Sequence, residues 1–383
     1  MKKIQFNNIY FYFFCSQLIF LPIYFYHTPL ISDTINTNKA IWMHLIGIFW
    51  SVVGYVTAYF ASSLLMKKNE DRQYHFKNIF YVCSYLFIIV GSIVNILQVF
   101  LFVSPIEYMS IIFSSGFDTG IRNAYLLSSD EGGLPGIIKM FAYAPLSIYL
   151  MSLGLLSFTT LDEADTYKLK VLSVVALAAI VIKVFFSLDR LTILAVLAAN
   201  IFLGFKKGYM KNIRYWILIV FFFFLADYLS TKRLEEIGII NFTLIYFKLG
   251  LVNFQLMLDT CYQHNYGFST ILAPLYFIFK FLNFPLPDFF EIHTAWEWNP
   301  AQYFTSYAFQ DFGYFYFILF YIVGILLCLI DNQVKKNIYA SAIYFIVLYG
   351  VLSFVAVPAI RGIEFWLALL IPVVLLNRFA RCH

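Results

Sequence analysis

Long apolar runs alternate with short clusters of charge along this chain. Each run approaches the roughly 20 residues that an α-helix needs to cross a bilayer. The pattern predicts ten such helices, at Ile9–Tyr26, Ile41–Leu65, Ile79–Val103, Gly136–Phe158, Leu169–Ser187, Leu191–Phe205, Tyr215–Leu229, Ala308–Ile330, Ile338–Val357 and Ile363–Asn377. The first run has no small-residue cleavage site behind it, so a retained helix is expected rather than a removed signal peptide. Two further segments strain the count. Ile239–Leu258 is long enough to span but carries Lys248 near its middle, and Ile271–Phe284 is short and carries Lys280. Both or neither must cross, or Lys335 and Lys336 change sides; we expect neither to cross. They are read as interfacial or re-entrant helices, with twelve spans as the alternative. The expected fold is an all-α polytopic membrane protein, a single integral domain over residues 1–383. Its outer loops are 104–135 and a large one at 230–307.

Charge supplies the orientation. Sixteen of the 26 lysines and arginines fall on one set of alternate loops and eight on the other. Basic loops stay in the cytoplasm, so both termini are expected there. Lys139 and Lys183 lie inside runs, near enough to their ends to snorkel to the boundary. Composition agrees: 62% of the 383 residues are hydrophobic and 12% charged, against about 25% charged in a soluble domain. That excludes both a water-soluble and a disordered chain. Five cysteines show no paired spacing, which gives neither a disulfide framework nor a zinc knuckle.

The run centres carry almost no charge, which argues against a proton relay or ion pathway. Notable charges gather at the expected outer boundary instead. Arg190 stands in Ser187-Leu188-Asp189-Arg190 and Arg361 in Pro358-Ala359-Ile360-Arg361-Gly362. Each could anchor the interface or pair with Asp189 or Glu364. Each could also clamp an anion, since guanidinium is a fixed fork of donors suited to phosphate. Arg233 and Arg122 are further anion candidates. The stretch Asp288-Phe-Phe-Glu291-Ile-His293-Thr-Ala-Trp296-Glu297-Trp298-Asn299-Pro300 mixes aromatic faces with polar edges. That suits sugar rings as well as an aromatic belt, and makes Trp296, Trp298 and Asn299 candidate sugar contacts. His293, Glu291 and Asp311 are candidate general bases, with His264, Asp259, Glu297, His27 and His44 behind them. No metal, nucleotide or nucleic-acid motif appears, so no cofactor is expected.

The layout and local sequence resemble the Wzy-type repeat-unit polymerases of bacterial O-antigen and capsule pathways. The stretches that carry the likeness are Ser187-Leu-Asp-Arg190-Leu-Thr-Ile-Leu, Tyr246-Phe-Lys-Leu-Gly250-Leu-Val-Asn253 and Asn299-Pro-Ala-Gln-Tyr303-Phe-Thr305-Ser-Tyr307-Ala-Phe-Gln-Asp311-Phe-Gly313, with Arg122 ten residues before Gly133. Asp189 departs from the small residue expected before the arginine. The resemblance implies a GT-C-like, metal-independent membrane glycosyltransferase at the outer face of the cytoplasmic membrane. Undecaprenyl-diphosphate-linked oligosaccharides would be its donor and acceptor. Arg190, Arg361, Arg233 and Arg122 would hold the diphosphate, and His293 or Glu291 would act as base. Membrane lipids are partners, and a chain-length regulator is left open. The alternatives are an O-antigen ligase of similar plan and a lipid-linked oligosaccharide flippase or exporter.

Overall fold

A computed structural model describes residues 8–19, 21–22, 36–65, 73–101, 104–108, 136–187, 190–208, 212–233, 239–260, 264–282, 284, 302–355 and 358–382. The described residues are helical almost throughout. Six described helical stretches are long and apolar enough to cross a membrane: Asn38–Ser62, Asn78–Phe100, Met140–Phe158, Glu163–Phe186, Phe304–Gln333 and Ile338–Val355. Large apolar side chains lie exposed along them, among them Trp42, Phe49 and Phe60 on the first and Ile79, Val82, Ile89 and Ile93 on the second. Exposed apolar surface on this scale, on helices whose backbone bonds are internal, is the face a membrane protein turns to lipid. The chain is thus an all-α membrane protein in its main body, made of two compact units.

One unit comprises Met1–Asn69, Asn241–Val334 and Val347–Phe365. It holds helix α1 (Ile9–Gln17) and the long α2 (Asn38–Leu65). Asp331 accepts the Ile9 amide at 3.0 Å and thereby caps the exposed first amides of α1. Helix α2 packs directly on the helix Phe317–Gln333. A Cβ at Gly54 would stand 2.1 Å from the Tyr321 carbonyl oxygen, and one at Gly324 2.0 Å from that of Ser51. The two backbones touch because both positions lack a side chain, the usual way membrane helices gain contact area.

The other unit comprises Glu70–Ile240, Lys335–Ile346 and Trp366–His383. Its first elements are strand β1 (Gln73–Phe76) and helix α3 (Asn78–Phe100). A 3-10 turn at Met140–Tyr143 then leads into α4 (Ala144–Phe158). Strand β2 (Thr160–Leu161) precedes α5 (Glu163–Ser187), α6 (Arg190–Lys207) and α7 (Ile213–Arg233). Asp162 starts α5 by accepting the Asp165 amide at 2.6 Å, with Glu163 and Asp165 in a first turn that favours negative charge.

Strand β3 (Ala380–Cys382) closes this unit, and the three strands form a small sheet in the order β2-β1-β3. β1 runs parallel to β2 (Gln73 opposite Thr160) and antiparallel to β3 (His75 opposite Arg381). No strand was expected. The sheet joins three loop segments that the basic-residue rule assigns to one side.

Lys183 also departs from expectation. It is buried, with its ammonium 2.9 Å from the Thr192 hydroxyl and 3.3 Å from the centre of the Tyr143 ring. A partner hydroxyl and an aromatic face hold the charge inside, so it does not snorkel outward.

Candidate functional site

The described residues gather one compact group around Arg361, all within the first unit. Helix α8 (Ile239–Thr260) leads to the turn at 264–272, and α9 (Tyr276–Phe281) follows. With six residues α9 reaches about 9 Å, too short by itself to cross a bilayer. Helix α10 (Phe304–Phe312) ends at Gly313, and a 3-10 turn joins it to α11 (Phe317–Gln333). The sequence merges these into one run. Gly313 breaks it with φ +54, and a Cβ there would stand 2.7 Å from Nε2 of His264. Both facts favour glycine.

The 264–272 turn is bound to the end of α10. The Asn265 amide donates to the Gln310 carbonyl at 3.0 Å, and the Tyr266 amide to the Asp311 carbonyl at 3.1 Å. The wholly buried Asp311 carboxylate accepts the Ser269 amide at 2.7 Å and the Thr270 hydroxyl at 2.5 Å. Each carboxylate oxygen thus has a donor, which gives Asp311 the geometry of a brace.

Arg361 enters from another direction. Helix α12 (Ile338–Leu352) runs into a 3-10 turn, and a second 3-10 turn at Ala359–Arg361 precedes α13 (Ile363–Phe379). The Ser353 hydroxyl accepts the Ala359 amide at 2.8 Å and pins that second turn. The half-buried Arg361 donates from Nε to the Ser269 carbonyl at 2.7 Å, and its guanidinium carbon lies 3.6 Å from the centre of the Tyr307 ring. Tyr276, whose hydroxyl donates to the Phe268 carbonyl, also hydrogen-bonds Arg361. Burial pushes its phenol up to about 12, against the pull of the arginine charge. Among the described residues no carboxylate lies within ion-pairing distance of Arg361, Glu364 included. The arrangement is a fixed planar cation with phenols beside it, a geometry suited to an oxyanion.

Of the residues singled out from sequence, the structure brings Arg361 and Asp311 together through Ser269. Arg190 opens α6 and Arg233 closes α7, both in the second unit, and their side chains lie outside the described set. Arg122, Glu291, His293, Trp296, Trp298 and Asn299 lie outside the described residues altogether. His264 is exposed beside Gly313. His44 is fully buried, with Nδ1 2.6 Å from the Thr305 hydroxyl and Nε2 3.1 Å from the Gln17 carbonyl. Since a carbonyl only accepts, Nε2 carries a proton and donates to Gln17. Asp259 lies 3.7 Å from the Lys39 ammonium on the surface.

Sequence reasoning missed Ser269, Thr270, Tyr276 and Tyr307, none of which stands out by residue type. It also missed a second polar cluster, in the other unit. There His75 Nδ1 lies 2.8 Å from a carboxylate oxygen of Asp165 and 3.2 Å from one of Asp162. These three donor atoms are the described group whose spacing could hold a metal ion. Hydrogen bonding accounts for their closeness. Comparison of the chain with protein-family models, with characterised proteins and with solved structures returns no match.

Proposed function

We propose that this protein is a membrane glycosyltransferase of the repeat-unit polymerase kind. On this reading it has ten spans on a GT-C-like plan and both termini on the cytoplasmic side of a bacterial inner membrane. Its donor and acceptor are undecaprenyl-diphosphate-linked oligosaccharides. The observation that carries the reading is Arg361, fixed by a carbonyl and an aromatic face and without a carboxylate partner among the described residues. A preorganised cation in a poorly solvated place stabilises charge that grows on a leaving group.

In the proposed step the acceptor hydroxyl oxygen attacks the anomeric carbon of the donor. The bond from that carbon to the diphosphate oxygen breaks, and its electron pair leaves with the diphosphate, where Arg361 meets the charge. The hydroxyl proton passes to His293 or Glu291, and Trp296, Trp298 and Asn299 face the sugar.

The test is a surface-glycan gel from the native host with this gene deleted, then restored as wild type or Arg361→Ala. The expected deletion pattern is core plus a single repeat unit. Arg361→Ala should fail to restore the ladder at unchanged protein level. A full ladder from that variant sinks the clamp. Loss of every repeat with lipid-linked polymer accumulating marks a ligase instead, and single units trapped inside mark a flippase.

A further inference from the structure

Asp311 occupies an unfavourable place for a carboxylate. It lies in the last turn of α10, where the helix dipole presents its negative end, and its side chain is fully buried. Burying a charge is costly unless hydrogen bonds compensate it. Here the compensation comes from the Ser269 amide and the Thr270 hydroxyl. The residue whose amide Asp311 holds is the same one whose carbonyl receives Arg361 Nε. The connection is continuous: carboxylate, Ser269 N–H, Ser269 carbonyl, guanidinium.

This connection sets the direction of the arginine without neutralising it. A carboxylate in direct contact would orient Arg361 equally well but would occupy its donors and cancel its charge. A backbone carbonyl takes one N–H and leaves the cation whole. Tyr307 lies against the guanidinium face, and the Ser269 carbonyl, together with the Tyr276 hydroxyl, fixes its rotation. Ser269 in turn is fixed by Asp311 and by the amides of Asn265 and Tyr266 on the end of α10.

We propose that Asp311 is a positioning residue for the anion site at Arg361, acting through the 269–270 turn rather than as a general base. The inference rests on the reading of Arg361 as a diphosphate contact. Without that turn the Arg361 side chain keeps its charge and loses its aim, and affinity for a prenyl-linked diphosphate falls.

The experiment uses the purified full-length protein and farnesyl diphosphate as probe, with the dissociation constant and the unfolding midpoint measured on each variant. Asp311→Asn keeps the shape and one acceptor but cannot accept both donors. It should weaken binding about tenfold, the equivalent of one hydrogen bond's worth of alignment, and lower the unfolding midpoint as well, since one buried donor loses its acceptor, with the protein still folded. Arg361→Ala should abolish saturable binding. Asp311→Glu, which restores the charge at a different reach, should recover part of the loss. Should Asp311→Asn fail to fold, Thr270→Val removes only the hydroxyl donor and should weaken binding about threefold.

A folded Asp311→Asn protein that binds as tightly as wild type overturns the positioning role while leaving the anion site intact. So does an unchanged Kd in Thr270→Val where that variant carries the test. No saturable binding by wild type, or undiminished binding by Arg361→Ala, overturns the anion-site reading and the positioning role with it.

Discussion

Two buried aspartates, one in each unit, are built with the same parts and put to different use. Asp165 accepts the Phe76 amide at 2.9 Å and the Tyr81 hydroxyl at 2.8 Å. Asp311 likewise accepts one backbone amide and one hydroxyl. The difference is what stands beside each carboxylate. At Asp165 the His75 imidazole touches the carboxylate directly and reaches Asp162 as well. At Asp311 the nearby guanidinium is reached only through Ser269. The first cluster closes on itself and ties β1 to α5. The second leaves a cation oriented and unneutralised. A buried carboxylate alone therefore says little about function; the contact left open beside it says more.

The largest expected effect falls on the closed cluster. Asp165→Ala strands the Phe76 amide and the Tyr81 hydroxyl, each a buried donor worth about 1–3 kcal/mol when unsatisfied. We expect a loss of about 2–5 kcal/mol in unfolding free energy, measured by denaturant titration in detergent, with farnesyl diphosphate affinity unchanged once the protein is folded. Asp311→Asn, by contrast, should lose affinity as well as stability. If Asp165→Ala weakened binding as much as it lowered stability, the distinction between the two clusters would fail. Tyr81→Phe sharpens it, because it removes one donor and leaves the other. About 1 kcal/mol should be lost.

The six long apolar helices were legible because apolar length leaves a plain mark. Predicted runs at 41–65, 79–103 and 169–187 meet helices at Asn38–Leu65, Asn78–Phe100 and Glu163–Ser187. The break at Gly313 was invisible to hydropathy, since φ +54 changes the backbone path without changing the apolar run. The sheet escaped because its strands have two to four residues, too few for an alternation to show. Arg361 and Asp311 were each noticed for their charge, but their connection was not. It runs through the main-chain amide and carbonyl of Ser269, groups that every residue carries. His75 and Asp165 were passed over for a related reason: 90 positions separate them, and only folding makes them neighbours.

The smallest effect concerns Asp162, the half-buried member of the closed cluster. The Asp165 amide holds its carboxyl below the usual 3.8, with help from His75 and Lys168. A carboxyl whose folded value is depressed binds a proton less readily folded than unfolded. Its contribution to stability is therefore present above the unfolded value and is lost as pH falls through the folded one. The unfolding midpoint of wild type, followed from about pH 5 down to about pH 3, should show a progressive acid loss that Asp162→Asn lacks. Parallel curves for the two proteins across that range would mean that Asp162 takes no part in closing the cluster. Asp165 and His75 would then hold β1 to α5 by themselves, and the contrast with Asp311 would narrow to one imidazole.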